Sequence, residues 1–171
     1  MPAAYYSRTQ HLGGGVFAEF FFLDTTPLAD ADGALAFLWA SARREQLTWL
    51  DSGLASSRAR WKFVIGHHPV FSGGAHGNTL MLIKDLKPIL ERHKVPAYFN
   101  GHDHDLQHLA INYVNYFTSG AGSQSRPVKS TEGTVFSSAS LGFAVVAMSA
   151  SKAQVSFFDE SGKTIHRATL V

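Results

Sequence analysis

The sequence predicts an α/β fold, because apolar, strand-like runs alternate with amphipathic helical segments along much of the chain. Two of these runs, 61–65 and 95–99, are separated by one helical segment, which is typical of a βαβ unit with parallel strands. A glycine and a histidine cluster follow each run, as Gly66-His67-His68 and Gly101-His102-Asp103-His104. Because the carboxyl ends of parallel strands meet at one edge of a sheet, we expect the two clusters to lie close together.

The other elements of this part follow from hydrophobic periodicity and from residues that begin or break helices. Residues 16–23 form a nearly continuous apolar run, which suits a strand covered on both faces. Residues 41–57 carry leucines at helical spacing beside charged residues, and this pattern predicts an amphipathic helix with Ser41 as its N-cap. A second helix is predicted over residues 79–92, and we expect Pro88 to kink it.

The last third of the chain has short strand-like runs separated by turns, which is typical of an antiparallel meander. The predicted strands are residues 113–118, 143–148, 155–158 and 164–171. Residues 119–140 are rich in Ser, Gly and Thr, and they predict a mobile surface loop. With neither a linker nor an internal repeat, we expect a single domain over residues 1–171.

Composition narrows the possible functions. The 15 Lys and Arg exceed the 13 Asp and Glu by only two, without a basic stripe, so we expect no nucleic-acid partner. The absence of cysteine excludes disulfides and thiolate metal sites. No apolar segment reaches membrane-spanning length and the first residues do not resemble a secretory signal, so we expect no membrane partner.

Histidines are the residues most able to carry chemistry in this chain. Neutral imidazole binds Zn, Fe and Mn near neutral pH, so two histidine clusters at strand ends predict a metal site. The alternative for each histidine is a hydrogen bond to backbone without any metal. The rings of His102 and His104 are expected to point the same way on an extended strand, so that this pair could serve two adjacent ions.

Three strings in this region, GHHPVFSGGAHG (66–77), NGHDHDLQH (100–108) and SGAGS (119–123), resemble the tartrate-resistant type of purple acid phosphatase, among the calcineurin-like metallophosphoesterases. The resemblance runs from about Tyr5 to the C-terminus. It implies a four-layer α/β/β/α sandwich, of which this chain would supply one sheet with its helices and part of the other. It also implies hydrolysis of phosphate monoesters at two metal ions, Fe(III) with Fe(II), Zn or Mn, roughly 3.5 to 4 Å apart.

The resemblance also implies roles for individual residues. His67 and His102 would bind the divalent ion, and His104 the ferric ion. His76, on the glycine-rich loop, would protonate the leaving group or orient the ester, although a solvent-exposed loop histidine is the alternative.

Further polar residues are expected to support the site without binding metal. We expect His68 to line the cleft. Asp103 and Asp105 are expected to hydrogen-bond to backbone or to the second nitrogen of a ligand histidine. His108 is expected in a supporting or structural position. The remaining histidines, which we expect on the surface, are His11, His93 and His166.

The sequence departs from the family pattern, because its D-x-G, G-D-N-x-Y and G-N-H-D segments do not occur in residues 1–171. In the resemblance these segments supply the anionic oxygen ligands, so three histidines alone make an incomplete set. We expect the C-terminal half of a phosphatase, inactive alone, which meets its missing half or self-associates through an apolar face near residues 16–23.

Two alternatives remain open: a non-catalytic binding or regulatory module, and a mononuclear metal-binding protein that uses His67 and His102 with water. Complete members of the family are often secreted, lysosomal or vacuolar, and this sequence does not assign a compartment.

Overall fold

The computed structural model describes residues 3–30 and 36–170 of the chain. The strands of this part are β1 (Tyr6–Gly13), β2 (Val16–Phe22), β3 (Trp61–Ile65), β4 (Ala97–Asn100), β5 (Leu106–Ile111), β6 (Val114–Ser119), β7 (Thr134–Ser138), β8 (Gly142–Met148), β9 (Ala153–Asp159) and β10 (Thr164–Leu170). The helices are α1 (Thr26–Ala29), α2 (Ala36–Ser56), α3 (Leu80–Asp85) and α4 (Lys87–Arg92). None of these described helices is long and apolar enough to cross a membrane.

The strands form a seven-stranded sheet in the order β1-β2-β3-β4-β6-β5-β7 and a three-stranded sheet in the order β10-β9-β8. Strands β2, β3, β4 and β6 run parallel in the centre of the large sheet, and its outer pairings are antiparallel. Val64 pairs with Tyr98 in the register of β3 and β4. The predicted parallel βαβ unit is therefore confirmed.

The large sheet is covered on both faces, which gives three layers. On one face, Leu50 of α2 and Leu86 between α3 and α4 pack with strand residues such as Val64. On the other face, Phe63 and Phe117 belong to a second core with Phe157 and other residues of the small sheet. Burying each of these large apolar side chains stabilises the fold by about 1.5–3 kcal/mol. This two-sided burial explains why the central strands are nearly continuous apolar runs.

Both predicted helices exist, but their bounds differ from the prediction. Helix α2 already includes Ala36, so Ser41 lies inside it and is not an N-cap; its hydroxyl donates to Glu45 Oε1 at 2.6 Å. The predicted second helix is divided into α3 and α4 at Leu86, with Pro88 in the first turn of α4. The single kinked helix of the prediction is thus two helices, and the interruption lies beside Pro88, which has no N–H to continue the bonding of the preceding turn.

The predicted antiparallel meander is wrong at its first strand and correct for the other three. Strand β6 lies in the large sheet, parallel to β4, and forms a hairpin with β5. The hairpin turn is made by Asn112 and Tyr113, whose φ angles of +48° and +70° suit the twist of a two-residue hairpin. Strands β8, β9 and β10 form the expected antiparallel sheet.

Three strands were not predicted: β1, β5 and β7. Of these, β1 and β7 lie at the two edges of the large sheet. Residues 134–138 of the predicted loop form β7 beside β5, so the loop prediction is wrong there. Strand β1 covers the edge of β2, which places the Phe-rich run inside the sheet. Ala18 and Phe21 of that run are buried, while Phe17 is 42% exposed. Phe143, at 51%, is more exposed and lies on β8, so exposed apolar surface is not confined to residues 16–23.

Candidate functional site

The site lies where β3 and β4 end at the same edge of the large sheet. Backbone pairing continues past both strands, because Gly66 donates to the Phe99 carbonyl at 3.0 Å and Gly101 donates to the His67 carbonyl at 3.1 Å. The two histidine clusters are thereby held side by side. His67 Nε2 and His102 Nδ1 lie 3.0 Å apart.

A tight turn separates the side chains that follow β4. His102 has a φ of +66°, in the left-handed region that non-glycine residues rarely adopt, and residues 101–105 are not a strand. The Asp103 N–H donates to the Gly101 carbonyl at 2.8 Å. We expected His102 and His104 to point the same way on an extended strand. That expectation is wrong, because residues 101–105 form a turn, in which side chains do not alternate as they do in a strand.

The donor atoms of His67, His68 and His102 lie within 4.8 Å of one another. Among the described His, Cys, Asp and Glu residues, no other such group of three forms, so His104 stands outside it. The Nδ1 atom of His104 lies 2.9 Å from Gln124 Oε1, to which it is hydrogen-bonded. The structure therefore brings His67 and His102 together and adds His68 as their neighbour.

Thr25, directly after β2, fixes the first histidine cluster. Its hydroxyl oxygen accepts the backbone N–H of His67 at 3.2 Å and that of His68 at 3.1 Å. The same oxygen lies 2.8 Å from His68 Nδ1, in a hydrogen bond. The Tyr98 hydroxyl donates to the His68 carbonyl at 2.8 Å. Three neighbouring strands thus hold His68 in place.

The pKa of His68 is lowered to about 4, first by burial and then by the neighbouring His102 and His67. The pKa of His102 is also lowered, with burial again the largest cause, followed by His76 and His67. Both rings are therefore neutral near pH 7, and neutral imidazole is the form of histidine that binds metal ions.

His76 reaches the same place from the glycine-rich loop of residues 72–77. Its ring centroid lies 4.1 Å from that of His102, and its side chain is exposed. Asp103 is hydrogen-bonded to both ends of this loop. Its Oδ1 accepts the His76 backbone N–H at 2.9 Å, and its Oδ2 accepts the Ser72 hydroxyl. The loop carrying His76 is therefore attached to the turn carrying His102.

Asp105 and Gln107 complete the buried polar network under the loop. Gln107 Nε2 donates to Asp105 Oδ1 at 2.7 Å, and Gln107 Oε1 accepts the Gly73 N–H at 2.8 Å. The pKa of Asp105 is raised to about 6, mainly by burial and also by the charge of Asp103. A Cβ on Gly74 would lie 2.5 Å from Asp103 Cγ and from Asp105 Oδ2, so only glycine fits there. As expected, Asp103 hydrogen-bonds to backbone; Asp105 bonds instead to the Gln107 side chain.

A cleft of about 550 Å³ opens beside the histidines. His68, His76 and His102 line it on one side, and Leu80 and Met81 of α3 line it on the other. A larger cavity, about 850 Å³, lies beside Tyr113, away from every one of these histidines. The chemistry-bearing side chains therefore identify the smaller cleft as the candidate site.

The remaining histidines lie outside this site. His11 is exposed, as expected. His93 and His166 are partly buried, so the surface prediction is wrong for both: His93 Nε2 lies 2.6 Å from Asp51 Oδ1, and His166 Nε2 lies 3.0 Å from His108 Nδ1. His108 is buried between the two sheets.

Thr25, Ser72, Gln107 and Gln124 were missed by sequence reasoning. Thr25 could have been found, because it follows a central parallel strand just as His67 does. The other three had no such signal, since they belong to turns or to a strand that the sequence pattern does not reveal.

Known proteins resemble this chain in both sequence and fold. Residues 10–106 match the family model described as calcineurin-like phosphoesterase. Purple acid phosphatase 4 of Arabidopsis thaliana is 39% identical over 166 residues, which cover 88% of this chain and 49% of that protein. The chain thus spans about half the length of this curated relative.

Two solved structures share the fold. GAP50, the anchor in the inner membrane complex of Plasmodium, superposes with a TM-score of 0.86 at 24% identity, over 99% of this chain and 55% of that one. A purple acid phosphatase from yellow lupin (Lupinus luteus) seeds superposes with a TM-score of 0.71 at 18% identity, over 96% and 32%. The predicted resemblance is confirmed, and the chain belongs to the calcineurin-like phosphoesterase family.

Proposed function

We propose that residues 1–171 form the C-terminal half of a purple acid phosphatase-like enzyme that hydrolyses phosphate monoesters. The observation that carries this proposal is the meeting of His67 and His102, with Nε2 and Nδ1 3.0 Å apart, beside the exposed ring of His76. The sequence relationship to purple acid phosphatases supports the same reaction.

The described residues do not fit a pair of metal ions. A ferric and a divalent ion held side by side need anionic oxygen ligands to neutralise their charge. The histidine group contains no carboxylate, and the Asp103 carboxylate is engaged under the glycine-rich loop. We therefore propose that the acidic ligands come from a segment outside residues 1–171. In the completed enzyme His67 and His102 would bind the divalent ion and His104 the ferric ion.

Within this chain, His76 is the residue we assign to the leaving group. Its exposed imidazole lies in the cleft, and a protonated ring there can donate a proton to the ester oxygen as the alcohol leaves. Such general acid catalysis contributes roughly 10²- to 10⁴-fold. His68 lines the cleft next to it. Asp103 positions His76 through the backbone N–H, and Asp105 supports that contact through Gln107.

The first test is the activity of the chain with and without the missing motifs. Expressed alone, it is expected to show no turnover of an aryl phosphate with added Fe, Zn or Mn. Fusion to an upstream segment bearing the D-x-G, G-D-N-x-Y and G-N-H-D motifs is expected to restore activity, because the anionic ligands return. Metal-dependent turnover by residues 1–171 alone, lost in His102→Ala, would contradict the proposal.

A non-catalytic binding or regulatory module is the second candidate, and the histidine-only donor set favours it. The two candidates differ in the fused protein. A fusion that folds cooperatively and binds metal but never turns over an aryl phosphate would support the module.

We further propose the missing half as the partner of the small sheet. Strand β8 is an edge strand of that sheet, and on it Phe143 and Val145 are 51% and 43% exposed. Light scattering on the isolated chain is expected to detect self-association, which the fusion removes. A monomeric isolated chain that binds no hydrophobic dye would contradict this partner.

A further inference from the structure

We propose that Gln107 is a positioning residue of the candidate site, which fixes the glycine-rich loop of residues 72–77 and thereby the place of His76. Gln107 does not line the cleft, so it acts only through the residues that it contacts. Its effect on catalysis rests on the proposed function of His76, whereas its effect on the loop does not.

Every polar group of the Gln107 side chain is hydrogen-bonded. Its Nε2 donates one hydrogen to Asp105 Oδ1 at 2.7 Å and the other to Ser72 Oγ at 2.9 Å. Its Oε1 accepts the Gly73 N–H at 2.8 Å. Because an N–H group can bond only to the oxygen of the amide, the Gly73 contact fixes which way the Gln107 amide is turned. At 1% exposure, Gln107 is shielded from water that could replace these bonds.

The orientation of Gln107 determines where the Ser72 hydroxyl points. Ser72 Oγ accepts two hydrogens, one from Gln107 Nε2 and one from the Gly74 N–H at 2.9 Å. Both of its lone pairs are then occupied, so its single hydrogen is donated to Asp103 Oδ2. The other carboxylate oxygen, Asp103 Oδ1, accepts the His76 N–H at 2.9 Å. Three consecutive hydrogen bonds therefore connect Gln107 to the backbone of His76.

The glycines of this loop serve close packing. A Cβ on Gly73 would overlap the Lys129 carbonyl oxygen, and a Cβ on Gly74 would lie 2.5 Å from Asp103 Cγ. The Lys129 N–H also donates to the Gly73 carbonyl at 3.1 Å. The loop is thus held between the turn that carries Asp103 and the segment that carries Lys129.

The backbone of the loop is hydrogen-bonded along most of its length. The N–H groups of Ser72, Gly73, Gly74, His76 and Gly77 all have acceptors, and all but the last of these acceptors are side chains. Several of these bonds would have to break before the loop could move.

His76 is therefore placed at the cleft before a substrate arrives. Its ring centroid lies 4.1 Å from that of His102. Holding a reacting group in advance lowers the entropic cost of reaction, and a displacement of about 1 Å can cost roughly 10²-fold in rate. We expect the loss of the Gln107 contacts to cause such a displacement of His76.

Amide-resolved hydrogen–deuterium exchange in the isolated chain tests the effect on the loop. Gln107→Met fills nearly the same space without the hydrogen bonds. We expect the amides of Gly73 and His76 to exchange at least about tenfold faster in this variant, because each amide loses its acceptor or the group that orients its acceptor. Far-UV circular dichroism and thermal unfolding verify that the variant folds.

Gln46→Met is the matched control. Gln46 is as buried as Gln107, and it is hydrogen-bonded to the N–H and the carbonyl of Asp24, outside the loop. This variant is expected to leave the exchange of Gly73 and His76 unchanged. Unchanged exchange in folded Gln107→Met, or an equal acceleration in Gln46→Met, would overturn the proposal.

In the proposed fused enzyme, two substrates distinguish positioning from general damage. An alkyl phosphate needs a proton on its leaving oxygen, whereas a nitrophenyl phosphate releases a stable phenolate without one. Gln107→Met is expected to lower kcat for the alkyl ester roughly 10²-fold, to change kcat for the nitrophenyl ester little and to leave KM unchanged. Ser72→Ala breaks the same connection at its middle and is expected to give the same pattern.

His76→Ala removes the group that is positioned, so adding Gln107→Met to it is expected to have no further effect on the alkyl ester. Equal losses for both esters in folded Gln107→Met would overturn the positioning role, because general damage does not depend on the leaving group. A fused protein that turns over neither ester would refute the proposed function, and the exchange experiment would still decide whether Gln107 holds the loop.

Discussion

Two pairs of histidines in this molecule have the same spacing and opposite surroundings. His67 and His102 at the strand ends, and His108 and His166 between the sheets, each bring two ring nitrogens to 3.0 Å. The first pair opens onto a cleft beside a third donor, His68. The second pair is enclosed by aromatic rings. The spacing of two ring nitrogens therefore does not by itself define a metal site, because an ion also needs free donor atoms and access.

The rings of His108 and His166 already have other partners. His108 Nε2 is hydrogen-bonded to Asn115 Oδ1 at 2.9 Å, and its ring stacks on Phe117 at 4.4 Å. The ring of His166 stacks on Phe136 at 4.6 Å. Among the described residues, no third His, Cys, Asp or Glu donor joins this pair, so we assign it a structural role between the large and the small sheet.

Enzyme activity is expected to distinguish the two pairs most strongly. In the proposed fused enzyme, His102→Ala is expected to reduce turnover of an aryl phosphate to background, because it would remove a proposed ligand of the divalent ion. His166→Ala is expected to retain turnover at temperatures where it stays folded. His11→Ala, on the exposed part of β1, serves as the control for unrelated histidine loss. Equal losses in His102→Ala and His166→Ala, with folding intact, would break the distinction.

Stability is expected to rank the two pairs in the opposite order from activity. His108→Ala is expected to lower the free energy of unfolding by about 2–4 kcal/mol, since it leaves a cavity and an unpaired Asn115 side chain. His67→Ala is expected to change it by no more than about 0.5 kcal/mol, because that side chain is exposed. Urea unfolding of the isolated chain measures both. A cost for His67→Ala that equals the cost for His108→Ala would contradict the assignment.

A smaller change is expected in how the stability of the chain depends on pH. Burial lowers the pKa of His108 and of His166, and the neighbouring His108 lowers that of His166 further. Between the folded values and the unfolded value of about 6.5, the unfolded chain binds more protons. Stability from these histidines is therefore full above pH 6.5 and is lost as the pH falls below it, by at most about 1.4 kcal/mol per pH unit for each histidine.

Asp105 opposes this trend, because its pKa is raised to about 6 and its contribution falls as the pH rises through that value. Comparing the chain with His166→Gln removes this complication, since Asp105 is present in both. The difference in unfolding free energy is expected to shrink as the pH drops from 7 to 5. A constant difference across that range would show that His166 does not titrate on unfolding.

The part of the site that depends on parallel strands could be predicted from sequence. The runs before Gly66 and Gly101 predict β3 and β4, and the parallel rule then places His67 near His102. The pairing of β6 with β4 could not be predicted, because the sequence of a strand does not show which other strand it pairs with. Tertiary packing decides that. The same holds for β7, whose five residues gain a partner only when β5 exists beside them.

The sequence also did not predict that His68, and not His104, lies beside His67 and His102. This arrangement depends on the left-handed backbone of His102, and nothing in the letters GHDH specifies a positive φ at a histidine. It depends equally on Thr25, forty-three positions before His68. The residue types at the site could therefore be identified from sequence, while their grouping required the turn and the long-range hydroxyl contact.

The Thr25 hydroxyl has a consequence for how the sheet edge opens. Because it accepts the amide hydrogens of His67 and His68, those hydrogens exchange with solvent only when the ends of β2 and β3 move apart. Their hydrogen–deuterium exchange rates thus measure the local opening of this edge.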